Sequence, residues 1–241
     1  MTESLPSGSI AGYQTWRKLT FLHWRVSQDD VQQLLPDGLE AETFDGSAWV
    51  GLVPFSMERV RPWWSPAVPG ISWFLETNVR TYVRHRDGTS AVWFFSLDAN
   101  HRLAVRIARW FWYLPYIDCR MSLTEKDGIV RYTGQRSETS AGGYTVRIRL
   151  PEELRLIEAE PETLEYFLLE RYTLLSRRPN GQYFSGRVFH DPYSWVSLTG
   201  PEVSESLLGD AGLSGVDGRP PDHAAYSPGV DVRIGRLTKL P

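Results

Sequence analysis

The stretch Glu76-Thr77-Asn78-Val79-Arg80-Thr81-Tyr82 holds the residues of this 241-residue chain best suited to chemistry. Side chains alternate faces along a strand. Phe74, Glu76, Asn78, Arg80 and Tyr82 therefore share one face, and Leu75, Thr77, Val79, Thr81 and Val83 the other. The first face sets a carboxyl, an amide, a guanidinium and a phenol in a row, each roughly 7 Å from the next. A carboxyl kept from water holds its proton to higher pH and can serve as a general acid or base. A guanidinium offers a planar fork to a carboxylate, and a phenol can donate to a developing oxyanion. Together they suit proton-transfer or lyase chemistry on a small organic acid or carbonyl compound. Glu76 would be the acid or base, Arg80 or Arg109 the carboxylate holder, and Tyr82 or Tyr116 the oxyanion donor. Two other readings fit the same stripe. It is the solvent face of a half-buried antiparallel sheet, or it lines a non-catalytic binding or sensing pocket in which Glu76 and Arg80 pair with each other.

The following segment supplies a partner wall. Strict alternation over 90–98 puts Ala91, Trp93, Phe95 and Leu97 on one face and Val92, Phe94, Ser96 and Asp98 on the other. Apolar area with a few placed polar groups is what a small-molecule pocket needs. Asn78, Trp93, Ser96, Asp98 and Arg109 are the expected substrate-binding residues.

These residues need a scaffold of paired strands. A strand over 16–24 would carry Trp16, Lys18, Thr20, Leu22 and Trp24 on one face. Ser27 caps a short helix, with Asp30 in the acidic position of a capping box. Strands over 39–44 and 48–60 flank the turn Asp45-Gly46, and strands over 74–86 and 90–97 flank Asp87-Gly88. Asp98-Ala99-Asn100 reads as the cap of an amphipathic helix reaching Phe111. A hairpin over 119–124 and 129–133, a strand over 144–150, a helix opened by Pro161 and running to about Arg171, and strands over 183–188 and 230–234 follow. Residues 200–222 read as irregular. No βαβ alternation is present. The expected class is α+β, a closed or strongly curved antiparallel barrel with about three peripheral helices. Residues 1–12 read as a flexible lead and 13–241 as one domain.

Composition narrows the function classes. A net charge of −3 gives no basic footprint for nucleic acid or anionic membrane. Of 26 basic residues only Lys18, Lys126 and Lys239 are lysines. The one cysteine, Cys119, allows no internal disulfide. The first residues lack a basic segment followed by an apolar run, which argues against a signal peptide. The expectation is a cytoplasmic protein whose partner is a small organic molecule, with a homo-oligomer left open. Five histidines without i,i+4 pairing or cysteine partners, and no Gly-rich phosphate loop, predict no metal and no cofactor.

Several motifs recur in a fixed order: Trp49-Val50-Gly51-Leu52-Val53-Pro54-Phe55, Glu76-x-Asn78-x-Arg80-Thr81-Tyr82-Val83, Trp93-Phe94-Phe95-Ser96-Leu97-Asp98-Ala99, Ala108-Arg109, Leu114-Pro115-Tyr116, Glu170-Arg171-Tyr172 and Pro228-Gly229-Val230-Asp231-Val232. The chain resembles the YqjF-like family of uncharacterised bacterial proteins from about Trp16 to Ile234. That family looks like a branch of the acetoacetate-decarboxylase-like superfamily. The resemblance implies a cone-shaped antiparallel β-barrel with an internal pocket, and hence an inward-facing Glu76 stripe. It also implies a departure. The decarboxylase uses a Schiff-base lysine that follows a proline, and here Leu114-Pro115-Tyr116 puts Tyr116 in that place. Schiff-base decarboxylation is therefore not expected. Lys18, sharing a face with Trp16 and Trp24, is the least implausible substitute amine.

Overall fold

The computed structural model describes residues 10–101, 112–137 and 142–241, with Ser214 described by its backbone alone. Runs of β-branched and aromatic residues between Gly, Asp and Pro turns make its elements mostly strands. In chain order they are β1 Ile10–Val26, helix α1 Gln28–Gln32, β2 Leu39–Ala41, β3 Thr43–Phe44, β4 Ser47–Pro62, β5 Phe74–His85, β6 Ser90–Ala99, β7 Tyr116–Lys126, β8 Ile129–Arg136, β9 Gly143–Arg149, helix α2 Leu164–Leu169, β10 Thr173–Arg177, β11 Tyr183–Phe189, β12 Val196–Ser197, β13 Glu202–Glu205, helix α3 Leu207–Asp210, a 3₁₀ turn Ser214–Val216, β14 His223–Gly235 and β15 Thr238–Lys239. Two hairpins turn as expected. Asp45 and Gly46 take φ 50° and 72°, Asp127 and Gly128 51° and 71°, the left-handed pair that matches strand twist.

The pairing order is β5–β4–β1–β14–β11–β10–β6, and β6 pairs back onto β5, so the strands close into a ring. Two joints are parallel, β6–β10 and β6–β7, which corrects the wholly antiparallel expectation. From β7 a second, antiparallel layer β7–β8–β9–β13 grows outward. This layering creates two cores. One, inside the ring, gathers Leu19, Phe21, Trp49, Val53, Phe55, Tyr82, Val92, Val188, Tyr193, Val232 and Leu168 of α2. The other fills the space between the ring's outer face and the second layer, with Leu22, Trp24, Val50, Leu52 and Val79 against Val130, Tyr132, Tyr144, Val146 and Ile148. β5 lies between them, so both its faces are buried and the solvent-face reading of its polar stripe is excluded.

Other boundaries depart from the sequence expectations. β1 begins at Ile10, inside the expected lead. Lys18 is left-handed, φ 55°, and the register with β4 shifts between Arg17 and Leu22. That bulge reverses the alternation: Trp16 packs against the inner core and Trp24 lies in the outer one. Asp98 and Ala99 are not a helix cap but the last rungs of β6, paired with Thr77 and Glu76; ladder pairing outcompetes the local cap. The expected helix body, with Arg109, lies outside the described residues. α2 starts after Thr163, whose side chain accepts from the Tyr166 amide, because Glu162 at φ 69° cannot continue a right-handed helix back to Pro161. Residues 200–222 are more regular than expected, holding β13, α3 and the 3₁₀ turn. Among the described residues no helix is long and apolar enough to cross a membrane.

Candidate functional site

Alternation on β5 turns Glu76, Asn78, Arg80 and Tyr82 toward the inner core, as Phe74 and Tyr82 within that cluster show. Across β4 they face Phe55, Val53 and Gly51, and across β6 Ala99, Leu97 and Phe94. The β5–β6 register shifts between Val79 and Arg80. This bulge at Phe95 re-aims β6. Val92 and Phe94 stay with the inner core, whereas Ser96 and Asp98 turn to the outer side. There Arg136 holds Asp98 through Nε at 2.7 Å and Nη2 at 2.9 Å and also donates to the Ser96 hydroxyl. Ser96 and Asp98 thus belong to a buried structural ion pair. Trp93 packs beside Tyr183 in a third cluster. The expected substrate-binding set therefore divides: Asn78 faces the interior, Trp93, Ser96 and Asp98 do not, and Arg109 is not described.

Glu76 is fully buried, and the Tyr116 hydroxyl donates to its Oε2 at 2.9 Å. Burial raises its pKa from 4.5 to about 8; the Tyr116 hydrogen bond opposes that rise and the Asp98 charge adds to it. At neutral pH the carboxyl is mostly protonated. Burial, with the neighbouring Glu76, pushes the Tyr116 phenol well above its ordinary range, so it remains a donor. The residue in the lysine's motif position thus touches the buried carboxyl.

Arg80 keeps 8% of its surface accessible. Its Nη2 donates to the Leu168 carbonyl at 3.0 Å and to the Tyr82 hydroxyl at 3.3 Å, and the guanidinium lies over Phe21. Among the described residues no carboxylate pairs with it, and its buried Nε–H has no partner. The Glu76–Arg80 ion pair of the binding-protein reading is not formed. Tyr82 is not a free oxyanion donor either, because its single proton goes to the Leu168 carbonyl at 2.7 Å. It positions α2.

Sequence reasoning missed the histidines. Gly51 lies between His23 on β1 and Arg80 on β5. A Cβ there would stand 2.8 Å from His23 Cδ2, so only glycine lets the imidazole lie over β4 beside the guanidinium. His23 Nε2 meets the Tyr82 hydroxyl at 2.8 Å and its Nδ1 meets His223 Nδ1 at 3.1 Å. Burial, then the neighbouring His223 and Arg80, holds the His23 pKa well below its usual range. The phase of His23 with Phe21 was visible in the sequence. Its partner, 200 residues away, was not.

Lys18 leaves the interior at its bulge and pairs with Glu125 of β7. Burial, and after it the nearby Asp98 charge, pushes the Cys119 thiol up to about 12, which makes it a poor nucleophile. No group of three His, Cys, Asp or Glu able to hold a metal occurs among the described residues. Two clefts of about 520 and 530 Å³ are lined by other residues, the first by Glu42, Arg84, Phe167 and Arg171 and the second by Arg25, Asp30, Gln33 and Arg219. In the first, Glu42 is already held by Arg84 and Arg171, each at 2.8 Å.

A model of the DUF2071 family, described as an uncharacterized conserved protein, matches residues 13–231. The uncharacterized protein YqjF of Bacillus subtilis (strain 168) is 34% identical over 237 residues, covering 98% of this chain and 95% of that one. Among solved structures, an acetoacetate decarboxylase-like enzyme from Sphingomonas wittichii RW1 matches with a TM-score of 0.69 at 14% identity, over 100% of this chain and 99% of that one. The enduracididine biosynthesis enzyme MppR, complexed with pyruvate, matches with a TM-score of 0.65 at 14% identity, over 100% and 98%. The likeness to both structures is one of fold.

Proposed function

Because the chain belongs to the DUF2071 family and shares the acetoacetate decarboxylase-like fold, we propose that its strand ring is the wall of a barrel that takes up a small organic acid and acts on it by lysine-independent acid–base chemistry. The observation that carries this reading is the pair of groups on one inner strand face: the Glu76 carboxyl with its raised pKa, and the buried Arg80 guanidinium without a described carboxylate partner. A buried cation is costly unless paired. A substrate carboxylate would supply the pair, and the guanidinium fork would orient it. Glu76, protonated at neutral pH, would deliver a proton to the developing carbanion or oxyanion, and Tyr116 would hold the carboxylate that results. Pyruvate in the MppR complex is a small acid of the kind envisaged. The amine route has little support, since Lys18 is committed to Glu125.

Thermal-shift screening against short-chain carboxylic acids, followed by proton NMR of each hit for turnover, tests the proposal. At least one acid should raise the melting temperature, and Arg80→Met should abolish the shift. Glu76→Gln should keep binding and stop turnover. A shift that survives Arg80→Met rejects the anchor, and undiminished turnover in Glu76→Gln rejects the acid. Binding without turnover by the unaltered protein would make the interior a carrier or sensor site.

A further inference from the structure

The outer layer turns one face to the core and the other to solvent. Its inward residues Val130, Tyr132, Val146 and Ile148 are buried, so their neighbours along each strand point outward. The registers set those neighbours in rows across the sheet. Lys126, Ile129 and Arg149 form one row, and Thr124, Arg131, Arg147 and Glu202 the next. A hydroxyl row follows, in which the Ser122 and Thr133 side chains meet at 2.7 Å, and Arg120 lies in the row beyond it. Five cations stand in these four rows against one carboxylate, Glu202, which pairs with Arg147. The face therefore carries a net charge of +4 on a chain whose total is −3. Arg131 and Arg147 lie directly opposite each other, a like-charge cross-strand pair that costs stability in the isolated sheet. Arg120, Lys126, Arg131 and Arg149 are exposed and form no ion pair among the described residues.

The complement lies on the same chain. After β9 the backbone runs as a mostly irregular surface strap over 151–163. Residues 152–162 hold Glu152, Glu153, Glu158, Glu160 and Glu162 against Arg155 alone, a net charge of −4. All five glutamates are exposed. Between them Leu154, Leu156 and Ile157 keep 40%, 40% and 56% of their surface in solvent. The strap is fixed in place, because Ile157 and Trp195 exchange backbone hydrogen bonds of 3.0 and 2.9 Å. The basic face of its own chain is left uncovered. An acidic strip with aliphatic side chains fits such a face in two ways. Its carboxylates pair with guanidiniums, and its Leu and Ile side chains pack on threonine methyls and on the methylene stems of Arg and Lys. A nucleic acid would match the charge of the face but leave these aliphatics in water.

We propose that the outer face of β7–β8–β9–β13 docks the 152–162 strap of a second copy of this chain. Sedimentation velocity of the intact protein at micromolar concentration and low salt should show association. Sodium chloride at about 0.5 M should weaken it, since exposed charges are screened. Arg131→Glu with Arg149→Glu, and separately Glu152→Lys with Glu158→Lys, should each raise the dissociation constant by about tenfold or more. All four residues are exposed, so the circular dichroism and melting temperature of both double variants should stay near those of the unaltered protein. Mixing the two double variants sets an acidic strap against a basic face and a basic strap against an acidic face, and association should return. Misfolding cannot mimic that rescue. A monomeric unaltered protein at those concentrations, association indifferent to both reversals, or a mixture that stays monomeric would each overturn the proposal. A monomer that captures heparin through Arg131 and Arg149 would also overturn it and assign the face to a polyanion.

Discussion

Replacing Glu76 by Gln removes one titrating proton from the interior and leaves the Tyr116 hydroxyl an acceptor of nearly the same shape. The Glu76 pKa rises from 4.5 in the unfolded chain to about 8 in the folded one. Between those values the folded state holds a proton that the unfolded state has released. Raising the pH therefore favours unfolding: stability present at pH below 4.5 is lost progressively and the loss levels off above about 8. Each tenfold difference in proton affinity between the two states corresponds to about 1.4 kcal/mol. Integrated from about pH 5 to about pH 8, the Glu76 contribution amounts to on the order of 3 kcal/mol. Gln has no such dependence. Urea denaturation of both proteins across that range, with matched m-values, isolates the effect, because all other titrating groups are common to both. The stability of Glu76→Gln minus that of the unaltered protein should climb with pH by roughly that amount. Parallel curves would show that Glu76 is solvated in the folded protein, and would remove the basis for its acid role.

Tyr116→Phe deletes the hydrogen bond that opposes the rise of the Glu76 pKa, so the Glu76 titration followed by carbon-13 NMR should move to higher pH; a downward move contradicts the assigned contact. Gly51→Ala drives a methyl to 2.8 Å from His23, and His23 is held by both Tyr82 and His223. The expected cost is about 1–3 kcal/mol in chemical denaturation; an unchanged midpoint would mean that the imidazole moves freely. Asp98→Asn leaves the Arg136 guanidinium, with 10% side-chain exposure, without its closest charge partner. Asp210 still pairs with Arg136 at 3.0 Å, so a loss of about 1.5–3 kcal/mol is expected, while ligand affinity per folded molecule stays level, because Asp98 faces the outer core.

The sequence by itself determined the strand periodicity. The face shared by Glu76, Asn78, Arg80 and Tyr82, the left-handed turns at Asp45-Gly46 and Asp127-Gly128, and the Ser27 cap are local consequences of alternation, φ preference and side-chain reach. Where a single residue breaks the period, local reading fails. The bulges at Lys18 and Phe95 reverse every side chain beyond them, which moved Trp24, Ser96 and Asp98 to the opposite core. Only the tertiary structure decided that both faces of β5 are buried, because the outer layer that covers it comes from β8 and β9, dozens of residues downstream. Only it could join His23 to His223 through the β1–β14 register, or bring Tyr116 to Glu76 through the parallel β6–β7 joint. The Glu76 stripe was legible as a row of chemical groups. What raised the Glu76 pKa and left Arg80 without a described counter-ion was the exclusion of water by segments far away in the chain, and a strand's own residues cannot specify that.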